Sequence, residues 1–255
     1  MVNFADMGYA PSARLQRVKA LYSGSLIDKG VGHILRALDE LGLTENTLVV
    51  FTSDRGEMLG GHGLWQKNCP FDTSARVPML ARLPGRFAAG AVNGNLVSLL
   101  DLMPTMLELA GVDYPGQPDL AGDSLLGAEG GGLAQKQEDQ VVEIGHGAGR
   151  WFSLRGHRWQ YNYWMADGWE ELYDLENDPH ELTNLIGRPE HAGVRHRLGA
   201  RIADWLRRAE DPLADHTEQV IAAPIGRSEP GQLRRSSSSI SRARMRPLNP
   251  RARES

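Results

Sequence analysis

Between residues 20 and 42 the apolar positions keep a helical period. Leu26, Ile27, Val31, Ile34, Leu35, Leu38 and Leu41 recur at spacings of three and four, which places them on one face of a helix. Gly42 stands where a C-cap glycine belongs. Thr44-Glu45-Asn46 makes a short turn, and the period then changes. Thr47-Leu48-Val49-Val50-Phe51-Thr52 is apolar on both sides, which predicts a central parallel strand covered by helices on each face. Helix, short loop and buried strand together are half of a βαβ unit. A second short strand is expected at Val77–Leu83 and a helix at Leu96–Ala110, ended by Gly111. Pro104 inside that helix predicts a kink or a late start. Residues 111–135, rich in Gly, Pro and Asp, read as an irregular connection.

Beyond residue 135 the pattern is that of a small antiparallel sheet. Val141–Ile144 predicts a strand, Trp151–Arg155 and Arg158–Trp164 a hairpin around Gly156-His157, and Glu171–Leu175 a further strand closed by Glu176-Asn177-Asp178-Pro179. A last helix over 192–209 carries Leu198, Ile202, Trp205 and Leu206 on one face. Five of the six tryptophans lie at or beyond residue 151, which suits a small sheet packed by a helix. From Gly226 the chain has a serine run, spaced Arg and Pro, and few apolar residues, so disorder is expected there. The predicted architecture is α/β. Residues 1–135 form a core, 136–225 a small α+β subdomain, and 226–255 a basic Ser/Arg tail.

Charge sharpens this division. The chain has 28 basic and 32 acidic residues, net -4. Residues 226–255 hold eight Arg and two Glu, net +6, which leaves -10 on the rest. A basic tail on an acidic body is not the footprint of a nucleic-acid-binding domain. One cysteine, Cys69, excludes an internal disulfide. No apolar run reaches transmembrane length. Met1–Asp6 has neither a basic n-region nor an apolar h-region, so no signal peptide is expected and the cytoplasm is favoured.

Three residues are candidates for chemistry. Asp54 follows the predicted buried strand, where ligands of α/β sheets bind, and a carboxylate there suits Ca²⁺ or Mg²⁺. The bland alternative is an Asp that caps the following turn. Lys67 follows a Gly-rich stretch and is a point-charge partner for a sulfate or phosphate oxyanion, or else a solvated surface lysine. His62 either donates to an oxyanion or satisfies a loop carbonyl.

The stretch Leu48 to Lys67, with Thr52-Ser53-Asp54-Arg55-Gly56-Glu57 and Gly60-Gly61-His62-Gly63-Leu64-Trp65-Gln66-Lys67 inside it, resembles the metal and sulfate-contact segment of sulfatases, members of the alkaline-phosphatase-like superfamily. Arg76-Val77-Pro78, Asp101–Gly111 and Glu171–Leu185 resemble later motifs of that family in the same order. Several long motifs in sequence are more specific than any one of them. The resemblance implies a partial alkaline-phosphatase-like core. It makes Asp54 a ligand of a divalent cation, usually Ca²⁺, and Lys67 a contact to the substrate sulfate, with His62 beside it. The substrate would be a sulfate ester of a small molecule or glycan.

Two departures matter. Arg55 occupies the position of a usual second metal ligand, and a guanidinium has only donors. Either it displaces or repels the ion, or it turns away to contact the substrate anion. The paired aspartates and the Cys-x-Pro-Ser-Arg motif, whose cysteine becomes formylglycine, are also missing from these residues. Cys69-Pro70-Phe71-Asp72-Thr73 does not fit that motif, and a structural thiol is the expectation. No catalytic nucleophile is therefore assigned. Sulfate-ester hydrolysis by family, inactive in this chain alone, is the first reading. A non-catalytic module or pseudoenzyme fragment, or a related phosphoesterase or phosphonate hydrolase, is the alternative. A missing N-terminal half is the expected partner.

Overall fold

The computed structural model describes residues 13–114, 122–126, 138–145 and 149–223. The tail expected to be disordered and most of the irregular connection lie outside the described residues.

Helix α1, Ala13–Glu40, starts earlier than the apolar period indicated. Gly42 takes φ 65°, and Leu43 N–H donates to Leu38 O while Gly42 N–H donates to Asp39 O, the double bond of a Schellman cap. Its stripe is uncovered: Leu26, Ile34 and Leu41 are 55%, 60% and 70% exposed. Strand β1, Val49–Thr52, pairs antiparallel with β2, Met79–Arg82, in the register Val49↔Arg82 to Thr52↔Met79. This corrects the expectation of a parallel strand buried on both faces. Among the described residues the ladder has two strands, and Phe51 and Leu80 are exposed. An all-apolar run records that both faces can be covered, and carries no information on strand direction.

Helix α2, Asp72–Ala75, is a single turn between β1 and β2. Helix α3, Leu102–Ala110, follows a 3₁₀ turn over Leu99–Asp101 and ends at Gly111 with φ 63°. Pro104 falls in its first turn, where a missing N–H costs nothing, so the late start is the outcome. Asp101 is buried as a cap: its carboxylate accepts from the N–H of Ser98 and of Asp123, both at 2.9 Å. Thr105 extends the same tie by accepting from Leu125 N–H at 2.8 Å.

Four strands then form an antiparallel meander in chain order: β3 Asp139–Ile144, β4 Trp151–Gly156, β5 Trp159–Trp164 and β6 Trp169–Asp174. The expected hairpin forms, but its turn is His157-Arg158, one residue later than expected, and Arg155 pairs with Gln160. Helices α4, Ala192–Arg208, and α5, Ala214–Ala222, cover one face; α5 was not anticipated. Alternate residues Phe152, Leu154, Tyr161, Tyr163 and Leu172 meet Leu198, Ile202, Leu206 and Ile221 there. Gly199 lets the helices touch, since a Cβ would lie 2.4 Å from Ile221 Cγ2. Within this layer Arg195 is a buried cation. Its Nε and Nη2 reach the two Glu170 oxygens at 2.7 and 2.6 Å, and Tyr161 O–H donates to the same carboxylate at 2.7 Å. No helix among the described residues is long and apolar enough to cross a membrane.

Candidate functional site

The opposite face of the meander is polar, because the other alternation brings up Ser153, Arg155, Gln160, Asn162 and Glu171. The glycine-rich segment between β1 and α2 lies on it. Met58, Cys69 and Phe71 of that segment form a second core with Tyr173 and Leu175 of the sheet, with Leu64 against it. The element expected to carry substrate contacts is thus held against the C-terminal sheet.

Its backbone is folded tightly on itself. Met58 N–H donates to Gln66 O at 2.8 Å and Gly60 N–H to Leu64 O at 2.9 Å. Leu59, Gly60, His62, Gly63, Gln66 and Asn68 all have positive φ, from 46° to 92°, an uncommon cost for four non-glycine residues. Gly56 closes the base. Its N–H donates to Ser74 O at 2.8 Å, and a Cβ there would lie 2.1 Å from Thr73 O.

Asp54 sits just after β1 with its side chain 86% exposed. The turn it was suspected of capping is made by Ser53, whose hydroxyl donates to Arg55 O at 2.7 Å. The Asp54 carboxylate is therefore left to solvent and to Arg55, whose Nε lies 3.9 Å away. Arg55 Nη1 is also 3.9 Å from Glu57 Oε2. These are exposed pairs of small energetic weight, and they turn the guanidinium toward carboxylates. Among the described residues no three acidic, His or Cys groups gather as a metal cluster. One carboxylate beside a guanidinium does not by itself fit a divalent cation, which takes six to eight oxygen donors if it is calcium.

His62 and Lys67 share the folded loop. The His62 ring stacks on Phe71 with centroids 3.9 Å apart and planes 8° from parallel. Burial lowers its pKa, opposed by a hydrogen bond to the His180 backbone and the charge of Asp178, so the ring is neutral at neutral pH. Its Nδ1 is buried without a partner. Lys67 is half-buried and forms no ion pair among the described residues. Cys69 is 4% exposed, and burial pushes its thiol up to about 11 against a hydrogen bond with Ser74. A thiol held protonated is no nucleophile, as the structural reading expected.

Sequence reasoning missed what anchors this loop. Gln160 Nε2 donates to Pro70 O at 2.7 Å. Arg155 grips the Asp72 carboxylate with Nε at 3.3 Å and Nη2 at 3.2 Å. Glu181, 2% exposed, accepts from Asp72 N–H at 2.9 Å through Oε2. Glu181 stood inside a quoted family motif, yet a buried acid and a surface acid look alike in sequence.

Comparison with known proteins gives a consistent answer. The family model described as N-sulphoglucosamine sulphohydrolase, C-terminal, matches residues 60–208. An arylsulfatase of Clostridium perfringens is 34% identical over 221 residues, covering 83% of this chain and 44% of the relative. A protein solved in complex with its substrate D-glucosamine-2-N,6-O-disulfate superposes with TM-score 0.65 at 28% identity, over 74% of this chain and 40% of that one. The phosphonate monoester hydrolase of Agrobacterium radiobacter superposes with TM-score 0.61 at 29% identity, over 72% and 39%. The chain spans less than half the length of these proteins.

Proposed function

The chain belongs to the sulfatase family, whose C-terminal portion it matches, and from that premise we propose that it carries the oxyanion-contacting half of a sulfuric ester hydrolase. The folded loop of residues 56–72 carries this reading. Its left-handed residues and the filled Cβ position of Gly56 fix a backbone whose one lysine is Lys67. In this reading Lys67 sets its ammonium against a sulfate oxygen. His62 supplies an uncharged second contact. The substrate class is a sulfate ester of a small molecule or glycan. Asp54 contributes one ligand to a divalent cation, calcium by family, and the other oxygen donors come from beyond the described residues. The formylglycine nucleophile is not among these 255 residues, and Cys69 does not replace it. The chain alone is therefore proposed not to turn over, since nothing present replaces an activated nucleophile. With one thiol and no disulfide to maintain, the cytoplasm remains the proposed location.

The uncovered stripe of α1 and the two-stranded β1–β2 ladder are the proposed seat of the missing N-terminal half. Leu26→Lys with Ile34→Lys should abolish co-purification with such a segment; unchanged recovery would remove this assignment. Arg55 favours a second reading, a non-catalytic sulfatase-like module, because it occupies a ligand position and faces Asp54. Thermal shift with calcium separates the two. A rise in Tm that Asp54→Ala removes supports the hydrolase-derived site. No rise in the chain, together with a rise in Arg55→Asn, supports the module. Sulfate release from an aryl sulfate by the purified chain, abolished by Asp54→Ala, would overturn the proposed inactivity.

A further inference from the structure

Glu181 is out of place for a motif that marks only a turn. Glutamate is almost never fully buried without a charge partner, yet Glu181 is 2% exposed and takes part in no ion pair among the described residues. Its own backbone sits at φ 56°, so the chain bends into a costly conformation to point this side chain inward. Oε2 accepts from Asp72 N–H at 2.9 Å, across 109 residues of sequence. Oε1 is buried with no partner, and in the same layer Gln160 Oε1 is also buried with none.

We propose that Glu181 is a positioning residue, a latch that holds the Lys67 loop on the polar face of the C-terminal sheet. The inference rests on the reading of that loop as the oxyanion contact. The latch sits at the loop exit. Glu181 binds residue 72, Gln160 binds residue 70, and between them Phe71 carries the stacked His62 ring. Lys67 is five residues upstream of the bond. Release of Asp72 N–H would free the exit and the Phe71–His62 stack together.

The groups around Glu181 decide how the latch is set. Burial is the largest influence on its acidity. The negative charges of Asp72 and Glu171 add to it, and the Asp72 N–H bond and Arg155 oppose it, which leaves the carboxyl at about 8. Cys69 and Tyr173, both neutral through burial, face the same side chain. At neutral pH the latch is therefore a neutral acid. A proton on Oε1 converts an unpaired acceptor into a donor in a layer that holds a second unpaired acceptor. Above pH 8 the same site holds an unpaired buried carboxylate, which is disfavoured.

The sole cysteine makes this testable in the whole chain without any sulfate ester, so the result stands whether or not the chain belongs to a hydrolase. Cys69 is buried in the latched segment, and its rate of labelling by a disulfide reagent reads how often the loop lifts. Glu181→Ala should label about tenfold faster, the equivalent of one lost hydrogen bond to a buried donor. Glu181→Gln, neutral and of the same shape, should stay within about twofold of wild type near pH 4.5, where both side chains are uncharged in the lifted and the latched loop. Protection of the β5 amides against hydrogen exchange should be unchanged in both. The ratio of wild-type to Glu181→Gln labelling cancels the thiol's own ionisation; it should be near one at about pH 4.5, climb several-fold by about pH 8 and level off above it. A purely space-filling role leaves that ratio flat. A ratio that stays flat from about pH 4.5 to 8 overturns the latch, as does a Glu181→Gln chain that labels as fast as Glu181→Ala at about pH 4.5. If Glu181→Ala fails to fold, the Glu181→Gln ratio still decides.

Discussion

Removing Arg195 should cost the sheet-and-helix layer a large share of its stability. The guanidinium reaches both Glu170 oxygens at 2.6–2.7 Å and donates to Ala223 O at 3.2 Å from two nitrogens. Arg195 and Glu170 side chains are 9% and 7% exposed. The hydrogen bond with Glu170 raises the Arg195 pKa, so the guanidinium stays charged. Arg195→Ala would leave the carboxylate buried with Tyr161 O–H as its remaining donor among the described residues. Breaking a buried pair from one side costs about 3–5 kcal/mol, against a total of about 5–15 kcal/mol for a small domain. The same pair replaced on both sides costs much less, because no lone charge remains. Urea unfolding followed by tryptophan emission reads both, since most tryptophans lie in this sheet. The double variant Glu170→Ala/Arg195→Ala should lose clearly less than the two single losses added, with a coupling of at least about 2 kcal/mol. A single loss under about 1 kcal/mol with coupling near zero would mean that the pair behaves as a surface pair, and the reasoning from burial would fail.

Gly56→Ala is expected to lower stability by about 1–3 kcal/mol, because the new methyl meets Thr73 and Ser74 carbonyls on backbone that cannot swing away. Differential scanning fluorimetry should show a fall in Tm, and an unchanged Tm would contradict the packing at the base of the loop. Stability should also depend on pH through Glu181. Its folded pKa of about 8 lies above the ordinary carboxyl value of 4.5, so the folded chain holds a proton that the unfolded chain releases. Stability from this group is complete below about pH 4.5, falls as pH rises and is lost by about pH 8. Glu181→Gln should therefore gain on wild type across that window, by a few kcal/mol at most. Urea midpoints at pH 5 and 8.5 that differ equally for both chains would refute the assignment.

What could be read from sequence was what short-range pattern encodes. The meander, the hairpin of β4 and β5, α4, and the glycine ends of α1 and α3 all follow from alternation, period and left-handed caps. Strand direction was not legible, because Val49, Val50 and Phe51 would look the same beside a parallel or an antiparallel neighbour. Helix α5 escaped because Thr217, which is fully buried, interrupts its short apolar face. Among site residues, the positions of Asp54, His62 and Lys67 came from a local motif. The groups that hold their loop come from strands and a turn at least 83 residues away, and no local window contains that pairing.

The loop bearing Lys67 leaves β1, an exposed two-stranded element. Its bonds to Arg155, Gln160 and Glu181, and its core contacts with Tyr173 and Leu175, all run to the C-terminal sheet. Asp54 precedes the loop and has no such tie; its carboxylate is open to solvent beside Arg55. The loop proposed as the oxyanion contact is thus preorganised by residues on the far side of the chain, while Asp54, proposed as a metal ligand, is not. Preorganised donors keep their value without reorganisation, so anion contact at Lys67 should persist in Asp54→Ala, in which any calcium-induced rise in Tm is lost.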